Sequence, residues 1–299
     1  EDTRSQTLTN LNTLLTKDNS IITFDKSCKL DRPLKILFDF EESKESLLFN
    51  TRSTIIVEEN VNAEVIQNFT GGNENTWSNF VTDVYLKEGA KLLLTRIHDN
   101  HSKSFNTSHL YADLKKNSKM SVVSIASSNK LFREEFRVNL SENSSECSLD
   151  GVLLTDNQNF GEVFSKVVHK QINTKSCQRW RTVASDKSQT AVQGRIRVEP
   201  LADGTDAKFS SKSLLLGNKS KTHAKPELEI LADAVMCSHG STVGQLDSDA
   251  LFYLRSRGIN FSDAKKILVE AFINELFDDV QMSSEAVNKI YSILKKFNL

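Results

Sequence analysis

Residues 57–65 read VEENVNAEV, and the same phrase returns as LKEGAKLLL at 86–94, LKKNSKMSVV at 114–123 and LSENSSECSL at 140–149. Each copy sets a charged or polar turn before a small residue, then a polar residue, then an apolar run. The small residues Ala63, Ala90, Ser118 and Ser145 fall 27, 28 and 27 positions apart. Repetition at about 20–50 residues, with strands in every unit, marks a solenoid in which each rung buries its apolar face against the next. Similar turns at Ser188 (ASDKSQTAV) and Ser220 (GNKSKTHA) stand 43 and 32 positions further on, in a looser register. The pattern predicts a parallel β-helix, with a β-sandwich as the alternative, since short strands at regular spacing fit that fold too.

Working outward, IITF (21–24), LKILFDF (34–40), SLLFN (46–50) and STIIVEE (53–59) are rich in Thr, Val, Ile and Phe. That is strand composition with polar turns between. Ahead of them SQTLTNLNTLLT (5–16) reads as a short helix. At the other end the hydrophobic period changes. Asp247 is a candidate N-cap for SDALFYLRSR (248–257), with Gly258 as its C′ residue. Ser262 precedes DAKKILVEAFINELFDDV, where Ile267, Leu268, Ala271, Phe272 and Leu276 recur at helical spacing. Ser283 or Ser284 opens EAVNKIYSILKKF, with Val287, Ile290, Tyr291 and Leu294 on one face. The expected organisation is an N-terminal segment (1–20), a β-helix core (21–246) and a small C-terminal α-helical domain (247–299).

Composition narrows the function classes. The chain has 299 residues, net charge −1 and 26% charged residues, so nothing pulls it generally toward nucleic acid or an anionic membrane. No run approaches the roughly 18 apolar residues of a membrane span. The opening EDTRSQTLTN shows neither a basic nor an apolar signal region, and it does not begin with Met. Cys28, Cys147, Cys177 and Cys237 are scattered without repeated spacing, which fits reduced thiols better than a disulfide framework. Sequons at Asn68, Asn106 and Asn218 are expected by chance in an Asn- and Ser-rich chain.

Catalytic motifs are absent. GNKS at 217–220 lacks the glycines and the Gly–Lys step of a phosphate-binding loop, and there is no G-x-S-x-G, H-E-x-x-H or C-x-x-C. His98 and His101 in RIHDNH sit at an expected strand-to-turn junction without an acidic partner at a recognised spacing, and read as solvated turn histidines. Arg195 and Arg197 alternate along one strand face and read as paired surface charge. A carbohydrate-active β-helix enzyme would need carboxylates grouped on one solenoid face. The pair Asp278 and Asp279 falls in the helical region instead.

One pair of residues carries chemistry. Cys237 and His239 lie two apart in an expected strand, so both side chains share a face. Thiolate and imidazole are the soft donors that iron–sulfur clusters, zinc and copper accept. On spacing alone, a packed thiol beside a hydrogen-bonded imidazole is the favoured reading of the pair.

The stretch around them, AKPELEILADAVMCSHGSTVGQLDSDALFYLRSRGI (224–259), closely resembles the C-terminal signature of the SufD family, scaffold subunits of the Suf iron–sulfur cluster assembly machine. The paralogous SufB family diverges from the CSHG run. Weaker similarity extends upstream through the TGGNENTWSNF region. The resemblance implies a right-handed parallel β-helix and a non-catalytic, cytoplasmic scaffold, or a stromal one if the source bears plastids. It implies pairing with SufB near the C-terminal end of the β-helix, and docking of the ATPase SufC on the C-terminal helices, with Phe272, Ile273 and Glu275 as candidate contacts. His239 first and Cys237 second would be ligands of a nascent iron–sulfur cluster completed by SufB. The cluster would be transient, with no cofactor held tightly by the isolated chain. ATP-driven closure of two SufC subunits would open that boundary. A metal-free structural solenoid is the alternative, and isolated protein is expected to self-associate through the same edge. Relatives commonly carry an N-terminal helical region, most of which is missing here.

Overall fold

The computed structural model describes residues 3–28, 30–100, 103–127, 129–278, 280 and 282–297. Among the described residues a helix, α1 (Thr3–Leu15), leads into sixteen strands that alternate between two parallel sheets. One sheet holds β1 (Asp18–Phe24), β3 (Leu47–Val57), β5 (Thr76–Leu86), β7 (Phe105–Leu114), β9 (Leu131–Leu140), β11 (Phe160–His169), β13 (Gln189–Val198) and β15 (Lys221–Ile230), in that order. The other holds β2 (Leu34–Phe40), β4 (Asn62–Gly71), β6 (Lys91–Asn100), β8 (Lys119–Ser127), β10 (Glu146–Thr155), β12 (Lys175–Ala184), β14 (Asp206–Leu215) and β16 (Met236–Gly244). Each turn of chain therefore adds one strand to each sheet, and the molecule is a two-sheet parallel β-helix. The sandwich alternative, which is built from antiparallel sheets, is excluded.

The turns explain the repeat. Each odd-to-even corner from β3–β4 to β13–β14 carries a residue in the left-handed region: Asn60, Gly89, Asn117, Ser144, Asn173 and Gly204. Asn and Gly supply positive φ at low steric cost, which is why they recur there. The corners stack closely. A Cβ on Gly89 would stand 2.3 Å from Asn60 Oδ1, and one on Gly204 would stand 2.3 Å from Asn173 Oδ1. The residue after each is Val61, Ala90, Ser118, Ser145, Thr174 or Thr205. Val61, not Ala63, is thus the first member of the series. The backbone link from Lys91 N–H to Val61 O (2.9 Å) and the pairing of Ala63 with Leu92 fix that register. Ser188 and Ser220 belong to the opposite, even-to-odd corner, and their looser spacing reflects this second, separate series of turns.

Between the sheets, inward side chains form columns along the rod. Val65, Leu94, Val122, Leu149 and Phe209 come from one sheet, and Val84, Ala112, Val138, Val167 and Ile196 from the other. At the first turns Phe38, Phe40, Phe49, Phe69 and Phe80 cluster, with Phe38 stacked on Phe69 at 4.9 Å. The predicted runs at 46–50 and 53–59 are one continuous strand, β3, because its inward residues Ile55 and Val57 keep the period of two.

After β16 come α2 (Ser248–Ser256), α3 (Phe261–Asn274) and α4 (Ser284–Lys296). Asp247 caps α2 through its side chain and Ser283 caps α4, as expected. The cap of α3 is Asn260 rather than Ser262, its Oδ1 accepting from Asp263 N–H at 2.9 Å, so the helix starts two residues earlier. Val269, Ile273, Ile290, Ile293 and Leu294 pack on the outer face of the even-strand sheet, against Ile66, Ile97, Val123, Ile125, Val152 and Leu154. These inward residues of α3 and α4 are internal packing, while Ile267, Ala271 and Tyr291 of the expected stripes stay exposed. At the other end α1 docks on the odd-strand sheet by hydrogen bonds, Asn12 Nδ2 donating to Thr51 O (3.2 Å) and Asn79 O (2.8 Å). No helix among the described residues is long and apolar enough to cross a membrane.

Candidate functional site at the open C-terminal rung

The rod ends on two strands that each pair on one side only, β15 with β13 and β16 with β14. Leu228 and Ile230 of β15 and Cys237 and His239 of β16 lie in different sheets, joined by the corner at 231–235. Pro226 is tolerated in β15 because an edge strand has a ladder to satisfy on one side alone. In register, Cys237 stands over Ala207, His239 over Phe209 and Ser241 over Ser211. Ala207 and Phe209 belong to the core, so the donor pair occupies the inward column of the last turn, where no further rung covers it. Cys237 is half-buried against that core and His239 is exposed. Across the opening, Ala224, Pro226 and Leu228 of β15 are half-buried.

The floor beneath the pair is closed. Phe209 is 3% exposed and lies in a notch left by Gly194, where an added Cβ would fall 1.8 Å from the ring's Cε2. Partial burial pushes the Cys237 thiol up, aided by Asp206 and opposed by a hydrogen bond with the Ala207 backbone. Among the described residues no three His, Cys, Asp or Glu side chains come together in a way that holds a metal ion. The rung offers one sulfur and one nitrogen donor, two fewer than a four-coordinate metal centre takes. The other thiols lie elsewhere: Cys147 is buried in the core, Cys177 is half-buried and Cys28 exposed, and all are free.

Of the helical candidates, Ile273 is fully buried beneath α4 and presents no surface. Phe272 is half-buried, with the Arg181 guanidinium 5.6 Å from its ring centroid. Glu275 caps α3 and accepts from Lys212 Nζ of β14 at 2.7 Å, with Arg181 Nη2 of β12 at 3.6 Å. These residues fasten the helices to the last turns of the rod.

His98 corrects the expectation of a solvated histidine. It is fully buried between the sheets, stacked on Phe69 at 4.4 Å, with Nε2 3.1 Å from Glu134 Oε1. Arg96 Nε donates to the same oxygen at 2.9 Å, and Ser124 Oγ donates to Glu134 Oε2 at 2.6 Å. Burial works to raise the Glu134 carboxyl, but His98 and Arg96 outweigh it and hold it down at about 2. The His98 imidazole is lowered, chiefly by burial. A period-two reading of LLLTRIH places Leu92, Leu94, Arg96 and His98 on one inward face; the partner, Glu134, comes from a strand of the other sheet, which no local spacing reveals. His101 lies outside the described residues, as does Asp279. Arg195 and Arg197 are paired surface charge as expected, Arg195 Nε with Glu227 at 2.7 Å and Arg197 with Glu199 and Glu229, both at 2.8 Å.

Comparison with known proteins bears on this arrangement. The iron–sulfur cluster assembly SufBD family protein slr0076 of Synechocystis is 25% identical over 289 residues, covering 94% of this chain and 64% of its own length. Protein ABCI7, chloroplastic, of Arabidopsis thaliana is 26% identical over 288 residues, 93% of this chain and 61% of that protein. The iron–sulfur cluster assembly protein SufD of Escherichia coli is 46% identical over 101 residues, 34% of this chain and 24% of its own. The chain thus spans less than two thirds of the length of these curated relatives. The family model for the SUF system FeS cluster assembly SufBD core domain matches residues 40–272, from the first turn of the rod into α3. The chain belongs to the SufBD core-domain family of the SUF iron–sulfur cluster assembly system.

Proposed function

We propose that this chain is a non-catalytic, SufD-like scaffold subunit that pairs with SufB through its open C-terminal rung and carries SufC on its C-terminal helices. The nascent iron–sulfur cluster is the cargo, held between the two chains with His239 and Cys237 contributed from this side. The observation that carries the reading is the last rung itself: a sulfur and a nitrogen donor side by side, uncovered, on a strand with one free edge. Two donors are too few for a cluster, and a second related chain extending the same two sheets would supply both the missing ladder partners and the missing ligands. For SufC, the surface near Phe272 and Glu275 remains the candidate, without the buried Ile273. A contact there would act on β12 and β14 through Arg181 and Lys212.

Co-expression with SufB and SufC, followed by amide hydrogen exchange of the purified complex against the isolated chain, tests the pairing. Protection of Lys221–Ile230 and Met236–Gly244 on complex formation, with β1 and β2 unchanged, is the expected result. Copurification without protection of either strand rules out this edge as the contact. A complex protected at this edge but free of iron and sulfide favours a metal-free interaction solenoid.

A further inference from the structure

The two strands that end the rod leave different edges. Lys221 N–H donates to Ser188 O at 3.0 Å, and Leu231 N–H to Val198 O at 2.9 Å. With a period of two between those bonds, the odd-numbered amides of β15 serve β13 and the even-numbered positions face the free edge. Pro226 is one of the latter, so the middle of that edge lacks a donor. β15 also carries Lys221, Lys225, Glu227 and Glu229, with Glu227 paired to Arg195 and Lys225, and Glu229 to Arg197. Proline and charge are the devices by which natural sheets blunt an edge.

β16 has neither. Its sequence, MCSHGSTVG, contains no Pro, Asp, Glu, Lys or Arg, and eight of its nine residues are exposed. Met236 N–H donates to Thr205 O at 2.8 Å, which assigns the even-numbered amides to β14 and leaves those of Cys237, His239, Ser241 and Val243 on the free edge. Among the described residues no strand pairs with that edge. The residues with free backbone groups are thus the same ones whose side chains face inward beside the donor pair.

Given the pairing proposed above, we propose that β16 is its leading edge: a strand of SufB adds to β16 as a continuous ladder, while β15 offers a ladder interrupted at Pro226. An added strand supplies donors and acceptors to all the free positions of β16 at once. Its own inward side chains stand about 4.5–5.5 Å from Cys237 and His239, Cβ to Cβ, so donors placed there reach the same cluster.

Residue-resolved hydrogen exchange of the full chain, alone and in the complex copurified after co-expression with SufB and SufC, tests the ladder. Exchange should slow by roughly a hundredfold or more at Cys237, His239, Ser241 and Val243, and by less than about tenfold at Ala224 and Leu228, which flank Pro226. Affinity for SufB, from titration of the purified full chain, should fall tenfold or more in Ser241→Pro. It should stay within a few-fold in Ser241→Ala, which keeps the amide, and in Ala224→Pro on β15. Val243→Pro replaces Ser241→Pro if circular dichroism shows that the latter does not fold. Equal slowing on the two strands, or undiminished affinity in the β16 proline variant, overturns the proposal and leaves the pairing standing. A complex in which neither strand slows overturns both.

Discussion

Replacing Gly194 by alanine tests how the floor of the C-terminal rung is built. The new methyl carbon would meet the Phe209 ring at 1.8, 2.2 and 2.6 Å from three of its atoms, far inside van der Waals contact. Phe209 is 3% exposed and walled in by core side chains, so the ring cannot swing clear without displacing the rung that carries His239. Overpacking of this kind costs about 1–3 kcal/mol, and the severity of the overlap puts the expectation near ~3 kcal/mol. Phe209→Leu alone should cost roughly 1–2 kcal/mol through lost burial. In the double variant the leucine vacates the space the methyl needs, so the two losses should not add; a coupling of about 1–2 kcal/mol is expected. Urea unfolding of the four proteins measures the cycle. For a chain of this length 1 kcal/mol moves a cooperative thermal midpoint by roughly 1.6 °C, so Gly194→Ala alone should lower it by about 5 °C. Additivity within about 0.5 kcal/mol would refute the packing described for this rung.

Further outcomes follow from the buried charges and the helices. Burial depresses His109, against the opposing pull of Glu135 and aided by the flanking arginines, and His169, each to about 4. The unfolded chain takes up those protons near pH 6.5 and the native one does not, so stability is full above pH 6.5. It should fall by about 3 kcal/mol per histidine as pH drops toward 4, and His169→Gln should flatten the slope of unfolding free energy against pH over that window. Glu134→Gln leaves the fully buried Arg96 guanidinium without its counter-charge and should cost about 3–5 kcal/mol in denaturant midpoint analysis. Ile273→Ala should cost about 2–4 kcal/mol, whereas Glu275→Gln, an exposed cap with two cationic neighbours, should cost under ~1 kcal/mol. Equal losses in those two variants would contradict the placement of α3.

The solenoid was legible because its turns are local chemistry. Asn, Gly and Ser at left-handed corners and a period of two between them leave a trace in any sequence window. Register is less so: spacing points to Ala63 where pairing gives Val61, and to one series for Ser188 and Ser220 where there are two, since one polar turn resembles another until strand pairing separates the two sides of the rod. His98 departs from the expected solvated turn for a related reason. Its acidic partner Glu134 is 36 residues away on the opposite sheet, and inward charge in a β-helix is matched across the lumen rather than along the chain. The apolar stripes of α3 and α4 were visible, but which residues they turn inward depended on the outer face of the even-strand sheet, so Ile273 could pass for a surface contact. The donor pair Cys237 and His239 was identified by residue type and spacing. That it stands on the uncovered rung came only from the strand order.

The role proposed for this rung is to supply ligands to a cluster shared with a partner. Its most direct test is the iron and acid-labile sulfide content of the complex purified after co-expression with SufB and SufC, compared among the wild type, His239→Ala and Cys237→Ala. Both side chains are at the surface edge of a rung whose floor is formed by Ala207 and Phe209, so the substitutions should leave the fold and the copurification of the subunits intact. Iron and sulfide should fall together, more steeply for His239→Ala. Undiminished content in both variants would contradict the account.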